Sequence, residues 1–155
     1  HNEFEFVPIT TPEHIKDCLH FEAKWCKQNN CDQHEGTGNE RESIIYGLNH
    51  FDELGLKGGI LYADGKAVAF TYGMPINQDT FGTHVEKADS TVEGAYAMIN
   101  REFARYIPEQ YNYINREEDL GIPGLRKAKL SYNPAIILDK YLVSLQKNSI
   151  DEFEW

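Results

Sequence analysis

Residues 115–134 read NREEDLGIPGLRKAKLSYNP, and the rest of the chain is organised around this stretch. It places charged and amide side chains, two glycines and a proline in a turn, and then begins a short basic helix. The apolar residues 111–114 precede it, and further apolar runs follow at residues 135–138 and 141–143. A strand, an acidic turn, a basic helix and a strand in this order indicate a functional site, because a scaffold seldom needs a continuous row of charges.

The second half of the chain resembles a known family. The resemblance is carried by Gly124-Leu125-Arg126, Lys129, Tyr132, Pro134 and Lys140-Tyr141-Leu142, which are similar to the end of the C-terminal catalytic domain of bacterial phosphatidylglycerol lysyltransferases. It extends from Glu86 to Val143, and upstream of Glu86 only the order of elements agrees. This family has the GNAT-type acyl-CoA N-acyltransferase fold, as do the Fem-type peptidyltransferases. The resemblance therefore implies an α+β fold whose mixed central sheet splays at the site where an acyl donor lies.

The composition indicates a globular domain. The chain has 155 residues, of which 41% are apolar, and this is enough for a sizeable core. It contains no apolar run near the ~20 residues that a transmembrane helix needs and no signal peptide, so we expect a location that is cytoplasmic or peripheral to the membrane. The first residue is His1 rather than Met. With the resemblance, this predicts that residues 1–150 form a GNAT-like acyltransferase domain, that residues 151–155 are a frayed tail, and that a second GNAT-like domain precedes them in a longer tandem chain.

The charge balance argues against a simple nucleic-acid or lipid surface. The net charge of −10 opposes nonspecific binding to nucleic acid and to anionic lipid. The resemblance nevertheless implies aminoacyl-tRNA and a lipid as partners. Within this chain, Arg126, Lys127 and Lys129 supply only a small basic patch.

The three cysteines are interpreted as thiols in a reducing cytoplasm, because their number is odd and they lie close together. The alternative is a metal site at Cys26, Cys31 and His34. That site lacks a second ligand pair with zinc-like spacing, so no metal is expected.

Periodicity and turn signals predict the order β-α-α-β-β-β-α-β-α-β, with one further strand as an option at the end. The strands are expected at residues 3–9, 59–63, 67–72, 80–88 and 111–115, followed by one or two strands in residues 135–143. The helices are expected from Thr11-Pro12 to Gln28, from Asn39 or Glu40 to Gly55 or Gly58, from a capping box at Ser90 and Glu93 to Pro108, and after the organising turn. Asp64-Gly65 predicts a two-residue hairpin turn.

The turn before the third helix departs from an acyl-CoA site. The resemblance implies a phosphate cradle there, with a basic residue and glycines at a helix N-terminus. Residues 86–95 read EKADSTVEGA and retain only Lys87 and Gly94 as candidate cofactor-binding residues, beside three acids. The alternative is a plain capped helix with an acidic shoulder. No cofactor is therefore expected to be required, and acyl-CoA is the disfavoured donor.

The row from Asn115 to Asp119 supplies most of the candidate substrate contacts. Asn115, at the end of a predicted central strand, either holds substrate backbone or forms an Asx turn. Arg116 and Glu117 are candidate substrate-binding residues, and the acids could hold a cationic amino group. Glu118 and Asp119 are candidate catalytic residues, because a buried carboxylate with a raised pKa can accept a proton. The alternative is a solvated acidic turn that caps the next helix.

Three further positions complete the candidate set. Arg126 and Lys129 lie three residues apart, so they either bind a phosphate or carboxylate or pair with the acidic turn as a structural network. Tyr132 is a candidate catalytic acid that protonates the leaving group, or else part of a core stripe that shares one helix face with Leu125 and Ala128. His84, in the middle of a strand, is interpreted as a satisfied core imidazole rather than a base.

These residues lead to one functional interpretation and one rival. We expect an aminoacyl or acyl transferase that moves an aminoacyl group from aminoacyl-tRNA to a lipid or to another amine or hydroxyl acceptor. An acid in residues 117–119, or a bound water, would accept the proton, and backbone N–H groups of the splayed strand would polarise the carbonyl. The rival is a non-catalytic GNAT-like domain that binds a ligand or braces a partner domain, and the incomplete phosphate cradle favours it.

Overall fold

The computed structural model describes residues 3–31 and 35–144, and the side chains of residues 35–38 are outside this description. The chain divides into two compact units after Glu117, and each unit is described by itself. None of the helices in the described residues has the length and apolar character that crossing a membrane requires. The elements are β1 Phe4–Pro8, α1 Pro12–Asn29, α2 Glu35–Asn49, β2 Lys57–Ala63, β3 Lys66–Pro75, β4 Thr80–Ala88, α3 Ala95–Tyr106, β5 Tyr113–Asn115 and α4 Pro123–Leu130.

The first unit contains a mixed sheet with the strand order β1-β2-β3-β4-β5. Neighbouring strands from β1 to β4 are antiparallel, whereas β4 and β5 are parallel. This pairing of β4 with β5 joins Thr80–Gly82 to Tyr113–Asn115 and ends there, while β4 continues to Ala88. We call residues 83–88 of β4, together with residues 115–117, the β4–β5 fork. The mixed α+β sheet confirms the predicted fold class.

Helices cover both faces of this sheet. Ile60 and Leu61 are adjacent on β2 and point to opposite faces, and they belong to different apolar clusters. The Ile60 cluster contains residues of α1 and α2, and the Leu61 cluster contains residues of α3. Both residues are fully buried, and burial of a side chain of this size stabilises a fold by about 1.5–3 kcal/mol. The sheet is thus the middle of three layers, and its strand order places the fork at the β4–β5 end.

The start of α1 and the turn between β2 and β3 have the local structure that their sequences predict. The hydroxyl of Thr11 accepts a hydrogen bond from the backbone N–H of His14, and Pro12 occupies the first turn of α1. Asp64 and Gly65 have φ angles of 51° and 78°, which is the left-handed pair that a tight hairpin requires.

The third helix begins later than predicted, at Ala95 rather than near Ser90. The carboxylate of Asp89 accepts hydrogen bonds from the backbone N–H and the hydroxyl of Thr91, at 2.9 and 2.6 Å. Gly94, with a φ of 83°, then occupies the N-cap position without a side-chain cap. The predicted capping box of Ser90 and Glu93 is therefore wrong, because Asp89 organises the turn first.

The strands predicted at residues 135–143 are absent from the part of the second unit that the structure describes, which ends at residue 144. The apolar side chains of this run are exposed, with Leu138 at 72% and Leu142 at 97%. An apolar run forms a strand only where its backbone finds a hydrogen-bonding neighbour. The prediction was wrong because the pattern carried no information about such a neighbour.

The cysteines also differ from the interpretation as thiols. Cys26, in the last turn of α1, forms a disulfide with Cys31, two positions beyond the end of the helix, and only Cys18 is a free, buried thiol among the described residues. A disulfide cannot supply thiolate ligands, so the alternative metal site loses both sulfur ligands, and His34 lies outside the described residues. In the described ranges, no group of three or more His, Cys, Asp and Glu residues is arranged to hold a metal ion.

Candidate functional site

The site begins with an irregularity in β4. Tyr72 of β3 pairs with Val85, but Gly73 pairs with Thr83, so His84 is an extra residue in β4. Such a β-bulge bends a strand and changes the direction of a side chain. His84 is consequently exposed rather than buried, and its interpretation as a core imidazole is wrong.

Two residues of β3 stabilise this bulge. A Cβ atom on Gly73 would lie 1.9 Å from the carbonyl oxygen of Gly82, so only glycine allows the strands to approach this closely. Thr71 is fully buried, and its hydroxyl donates a hydrogen bond of 2.6 Å to the carbonyl of Val85. Contacts between β3 and β4 therefore stabilise the bulge, which lies within the β3–β4 ladder and not at its end.

His84 contacts Glu117, which lies in the turn directly after β5. Its Nδ1 atom lies 2.6 Å from Oε1 of Glu117, and the two side chains are 33% and 43% exposed. Glu117 has a φ of 62°, and its backbone N–H donates a hydrogen bond of 2.8 Å to Oδ1 of Asn115. Asn115 thus forms the Asx turn that was one of its two interpretations. A role for Asn115 and Glu117 in substrate binding stays a prediction.

A second side-chain bridge crosses the fork through Arg116. Its Nη2 atom donates a hydrogen bond of 2.8 Å to Oε1 of Glu86 on β4, and its Nη1 atom donates to Oδ1 of Asn100 on α3. The Arg116 and Glu86 side chains are only 23% and 13% exposed, so this ion pair is largely shielded from water. Arg116 therefore ties the end of β5 to β4 and α3, and its role as a substrate-binding residue stays a prediction.

The two candidate cofactor-binding residues lie on different faces of the sheet. The ammonium group of Lys87 lies 3.1 Å from Oε2 of Glu40 and 3.9 Å from the ring centroid of Trp25, on the face covered by α1 and α2. Gly94 lies on the other face, at the start of α3. The structure does not bring them together, and their binding of a cofactor stays a prediction.

The turn between β4 and α3 uses several backbone donors internally. The N–H of Thr91 donates to the Asp89 carboxylate, the N–H of Val92 donates to the Asp89 carbonyl, and the N–H of Ala95 donates to the Val92 carbonyl. The hydroxyl and the N–H of Thr91 stabilise the carboxylate and lower the pKa of Asp89. The Asp89 carboxylate therefore occupies a position where a phosphate cradle would need free N–H donors and a cation.

A buried acid on α1 was not found from the sequence. Glu22 is 1% exposed, its Oε2 atom has no hydrogen-bond partner within the described part of the chain, and burial raises its pKa. Lys87, nearby, acts in the opposite direction on that pKa. The available signal was its spacing, because Glu22 lies four residues from both Cys18 and Cys26 on the apolar stripe of α1.

In the second unit, the basic helix binds the acidic turn that precedes it. Nη1 of Arg126 lies 3.1 Å from Oδ2 of Asp119, and the ammonium of Lys129 donates a hydrogen bond of 2.7 Å to the carbonyl of Glu118. The ammonium of Lys140 lies 3.5 Å from Oε1 of Glu118. These contacts form the structural network that was one of two interpretations of Arg126 and Lys129. The binding of an anion, and proton transfer by Glu118 or Asp119, stay predictions.

Tyr132 follows α4 and is 43% exposed. The helix has no buried residue, and Leu125 on it is 37% exposed. The interpretation of this helix face as a core stripe is therefore wrong within this chain. The role of Tyr132 as a catalytic acid stays a prediction.

A cavity of about 300 Å³ lies near the β1 edge of the sheet, away from the fork. It is formed by the start of α1 and the end of α2, and its walls come from residues 9–12, Ile15 and residues 48–53. It contains none of the predicted site residues.

A mixed sheet whose parallel β4 and β5 separate beside a β-bulge defines the GNAT class of acyltransferase folds, and solved structures agree. The chain is similar to a conserved protein of unknown function from Bacteroides thetaiotaomicron VPI-5482, with 68% identity and a TM-score of 0.83. The match covers 87% of this chain, which spans 45% of the length of that protein. A possible acetyltransferase from Clostridium difficile 630 has 13% identity and a TM-score of 0.63, covering 92% of this chain and 98% of its own. The ribosomal-protein-alanine N-acetyltransferase of Brucella melitensis biovar Abortus 2308 has 10% identity and a TM-score of 0.62, covering 93% and 100%.

The family follows from a match to a family model. The model described as phosphatidylglycerol lysyltransferase, C-terminal, matches residues 1–144. The chain belongs to the phosphatidylglycerol lysyltransferase family, of which it represents the C-terminal domain. This confirms the resemblance in the sequence. A comparison with curated proteins gives no match.

Proposed function

We propose that this domain transfers an aminoacyl group from aminoacyl-tRNA to a lipid, or to another amine or hydroxyl acceptor. The observation that carries the proposal is the family match over residues 1–144, on a fold whose similar structures are GNAT acetyltransferases. Together they support acyltransferase-like activity. The nature of the donor and of the acceptor is the part that we propose.

The geometry of the fork supports acyl transfer. Because the ladder between β4 and β5 ends at Gly82 while β4 stays paired with β3, the backbone N–H groups that β4 directs away from β3 beyond this point would polarise a carbonyl bound there. A donor bound in the fork would therefore present its carbonyl carbon beside β4. His84 and Glu117 are exposed at the same place and can reach an acceptor.

The charges around α3 support a donor other than acyl-CoA. A pyrophosphate needs converging N–H donors and a cation. In this chain the Asp89 carboxylate holds the donors of Thr91, and the ammonium of Lys87 lies with Glu40 and Trp25. The ester of an aminoacyl-tRNA needs no pyrophosphate pocket here. We therefore propose that no cofactor is required and that acyl-CoA is the less favoured donor.

The net charge of −10 opposes binding of tRNA by this domain alone. A tRNA acceptor stem requires a basic surface, which this chain offers only weakly. Because the family model is a C-terminal one, members contain further sequence, and we propose that a second GNAT-like domain supplies the basic surface. We propose that the full-length protein works at the cytoplasmic surface of the membrane, where lipid acceptors are available.

The test uses the full-length protein. Transfer RNA charged with radiolabelled amino acids is mixed with phosphatidylglycerol vesicles, and lipid extraction then measures the labelled aminoacyl product. We expect label in the lipid phase only when enzyme and charged tRNA are both present. Calorimetric titration with acetyl-CoA and longer acyl-CoAs is the second arm, and micromolar binding that free CoA competes would overturn the proposed donor.

The rival function is a non-catalytic domain that binds a ligand or braces a partner domain. The two bridges from Arg116 to Glu86 and from Glu117 to His84 favour it, because they cross the fork where a donor would lie. Under this function, native mass spectrometry of the full-length protein would detect a retained ligand while every acyl donor stays unreacted.

A further inference from the structure

We infer that His84 is the group that carries the proton during transfer, with Glu117 and Asn115 as positioning residues. The inference rests on the proposed acyl transfer and gives His84 the role of a base, which the sequence analysis considered and ranked below that of a core imidazole. Its basis is the contact between the imidazole and the Glu117 carboxylate at the fork.

The contact determines which imidazole nitrogen is available. An ionised carboxylate can only accept hydrogen bonds, so the Nδ1 atom that lies 2.6 Å from Glu117 Oε1 must carry a hydrogen. In the neutral ring, Nε2 then has the free lone pair. Because the His84 side chain is one-third exposed, this nitrogen can reach a substrate.

The carboxylate is held in place by a locally unfavourable backbone. Glu117 has a φ of 62°, in the left-handed region that residues other than glycine seldom adopt. The amide oxygen of Asn115 accepts the Glu117 N–H at 2.8 Å and stabilises this conformation. An ordinary surface ion pair needs no such arrangement, and backbone strain of this kind concentrates at functional sites.

The position of the imidazole also fits the reaction. His84 is the extra residue of the bulge, so it lies on the strand whose N–H groups would polarise the carbonyl. Base and carbonyl-polarising groups therefore come from one strand.

The proposed steps balance with one proton carrier. The acceptor O–H or N–H gives its proton to Nε2 of His84 while its lone pair forms a bond to the ester carbonyl carbon. The tetrahedral intermediate then breaks the C–O bond to the tRNA ribose, and Nε2 returns the proton to the leaving ribose oxygen. Products are the acylated acceptor and deacylated tRNA, and Glu117 stays ionised throughout.

The transfer assay on the full-length protein tests this assignment with His84→Gln and Glu117→Gln. We expect His84→Gln to lower kcat by about 10²–10⁴-fold with little change in KM, which is the usual contribution of general acid–base catalysis. The matched control is His50→Gln, because His50 also has an Nδ1 contact with a glutamate, Glu53 at 3.2 Å, but lies at the end of α2. The control is expected to retain wild-type kcat.

A spectroscopic measurement separates positioning from simple structural support. The ¹⁵N chemical shifts of the His84 ring are expected to identify the Nδ1–H tautomer in the wild type and a mixture of tautomers in Glu117→Gln. An Nε2–H tautomer in the wild type overturns the inference, and so does a folded His84→Gln variant that keeps kcat within threefold. If instead the wild type transfers nothing from any charged tRNA, the proposed function itself fails and the inference fails with it.

Discussion

Arg116 and Glu86 form the best-shielded ion pair at the fork, with side chains that are 23% and 13% exposed. Removing one partner leaves the other charge in a poorly hydrated place, which costs more than the pair itself contributes. The same pair anchors the end of β5 beside the proposed proton carrier. Unfolding measurements on a variant without Arg116 report the contribution of this pair to stability, separately from any contribution to acyl transfer.

We expect Arg116→Met to lower the free energy of unfolding by about 2–4 kcal/mol, because Glu86 then loses a charged partner in a largely buried position. Urea unfolding followed by circular dichroism measures the change. The control is Arg101→Met, since Arg101 pairs with Glu102 while 55% exposed, and its replacement should change stability by less than ~1 kcal/mol. Equal effects of the two variants would contradict a structural role for the Arg116 pair.

Glu22 gives a pH-dependent prediction. Burial raises its pKa, so folding disfavours the carboxylate, and its contribution to stability becomes less favourable as pH rises from the unfolded value of ~4.3 through the folded one. Glu22→Gln should therefore raise the unfolding temperature at pH 7, and the difference should vanish near pH 3.5, where both states are protonated. Lys87 keeps Glu40 as its partner in the variant. A variant that is less stable than the wild type at pH 7 would contradict this reading of the buried acid.

At the scale of elements, the bulge in β4 decides where the site lies. It exists because Gly73 and Gly82 approach each other closely and because Thr71 binds the carbonyl of Val85. The bulge orients His84 outward and brings it to the turn after β5. A change in β3 should therefore alter the site without touching a candidate catalytic residue.

Gly73→Ala is expected to destabilise the domain by at least about 1–3 kcal/mol, since its Cβ would lie 1.9 Å from the Gly82 carbonyl oxygen and the ladder must shift. Thermal unfolding measures the loss, and the ¹⁵N shifts of His84 should change with it. Gly124→Ala serves as the control, because a Cβ at Gly124 meets nothing within 4 Å in a helix, where alanine is preferred. If Gly73→Ala keeps wild-type stability, the close approach does not hold the bulge.

Sequence reasoning succeeded where a local rule decides the structure. The cap at Thr11, the hairpin at Asp64-Gly65 and the bounds of β4 follow from residues a few positions apart. The bulge at His84 did not, because it depends on how β3 and β4 align, and alternation along β4 alone cannot reveal an extra residue. The capping box failed for a related reason: the side chain of Asp89 competes for the same turn.

The candidate site was predicted in part. The sequence singled out the row at residues 115–119, and the structure places Asn115, Arg116 and Glu117 at the fork with defined partners. It could not predict those partners, since His84 and Glu86 lie some thirty residues earlier in the chain. Pairings over that distance depend on the register of the sheet rather than on local spacing.

At the scale of the whole molecule, the apolar run at residues 136–143 is exposed in this chain. Large exposed apolar surfaces mark contact sites, and the family model describes this domain as the C-terminal part of a longer protein. We propose that another domain of the same protein covers this run. The next experiment tests this proposal. It also tests the organisation predicted from the sequence, in which this domain is one part of a longer tandem chain.

The full-length double variant Ile137→Ser with Leu142→Ser is expected to unfold several degrees lower than the wild type, because each side chain would lose ~1.5–3 kcal/mol of burial against the partner domain. Ile137 and Leu142 are 67% and 97% exposed here. Asp139→Ser, within the same run, is the matched control and should leave the unfolding temperature unchanged. An unfolding temperature equal to that of the wild type would contradict the covering by another domain.

The central claim is that the donor binds in the β4–β5 fork and that it is an aminoacyl ester rather than acyl-CoA. Hydrogen–deuterium exchange of the full-length protein, with and without a non-hydrolysable aminoacyl-adenosine analogue, tests both parts at once. We expect slower exchange at residues 83–88 and 115–117 with the analogue, and no change there with coenzyme A. Protection of residues 89–95 by coenzyme A, or protection by the analogue only near the cavity at residues 9–12 and 48–53, would contradict it.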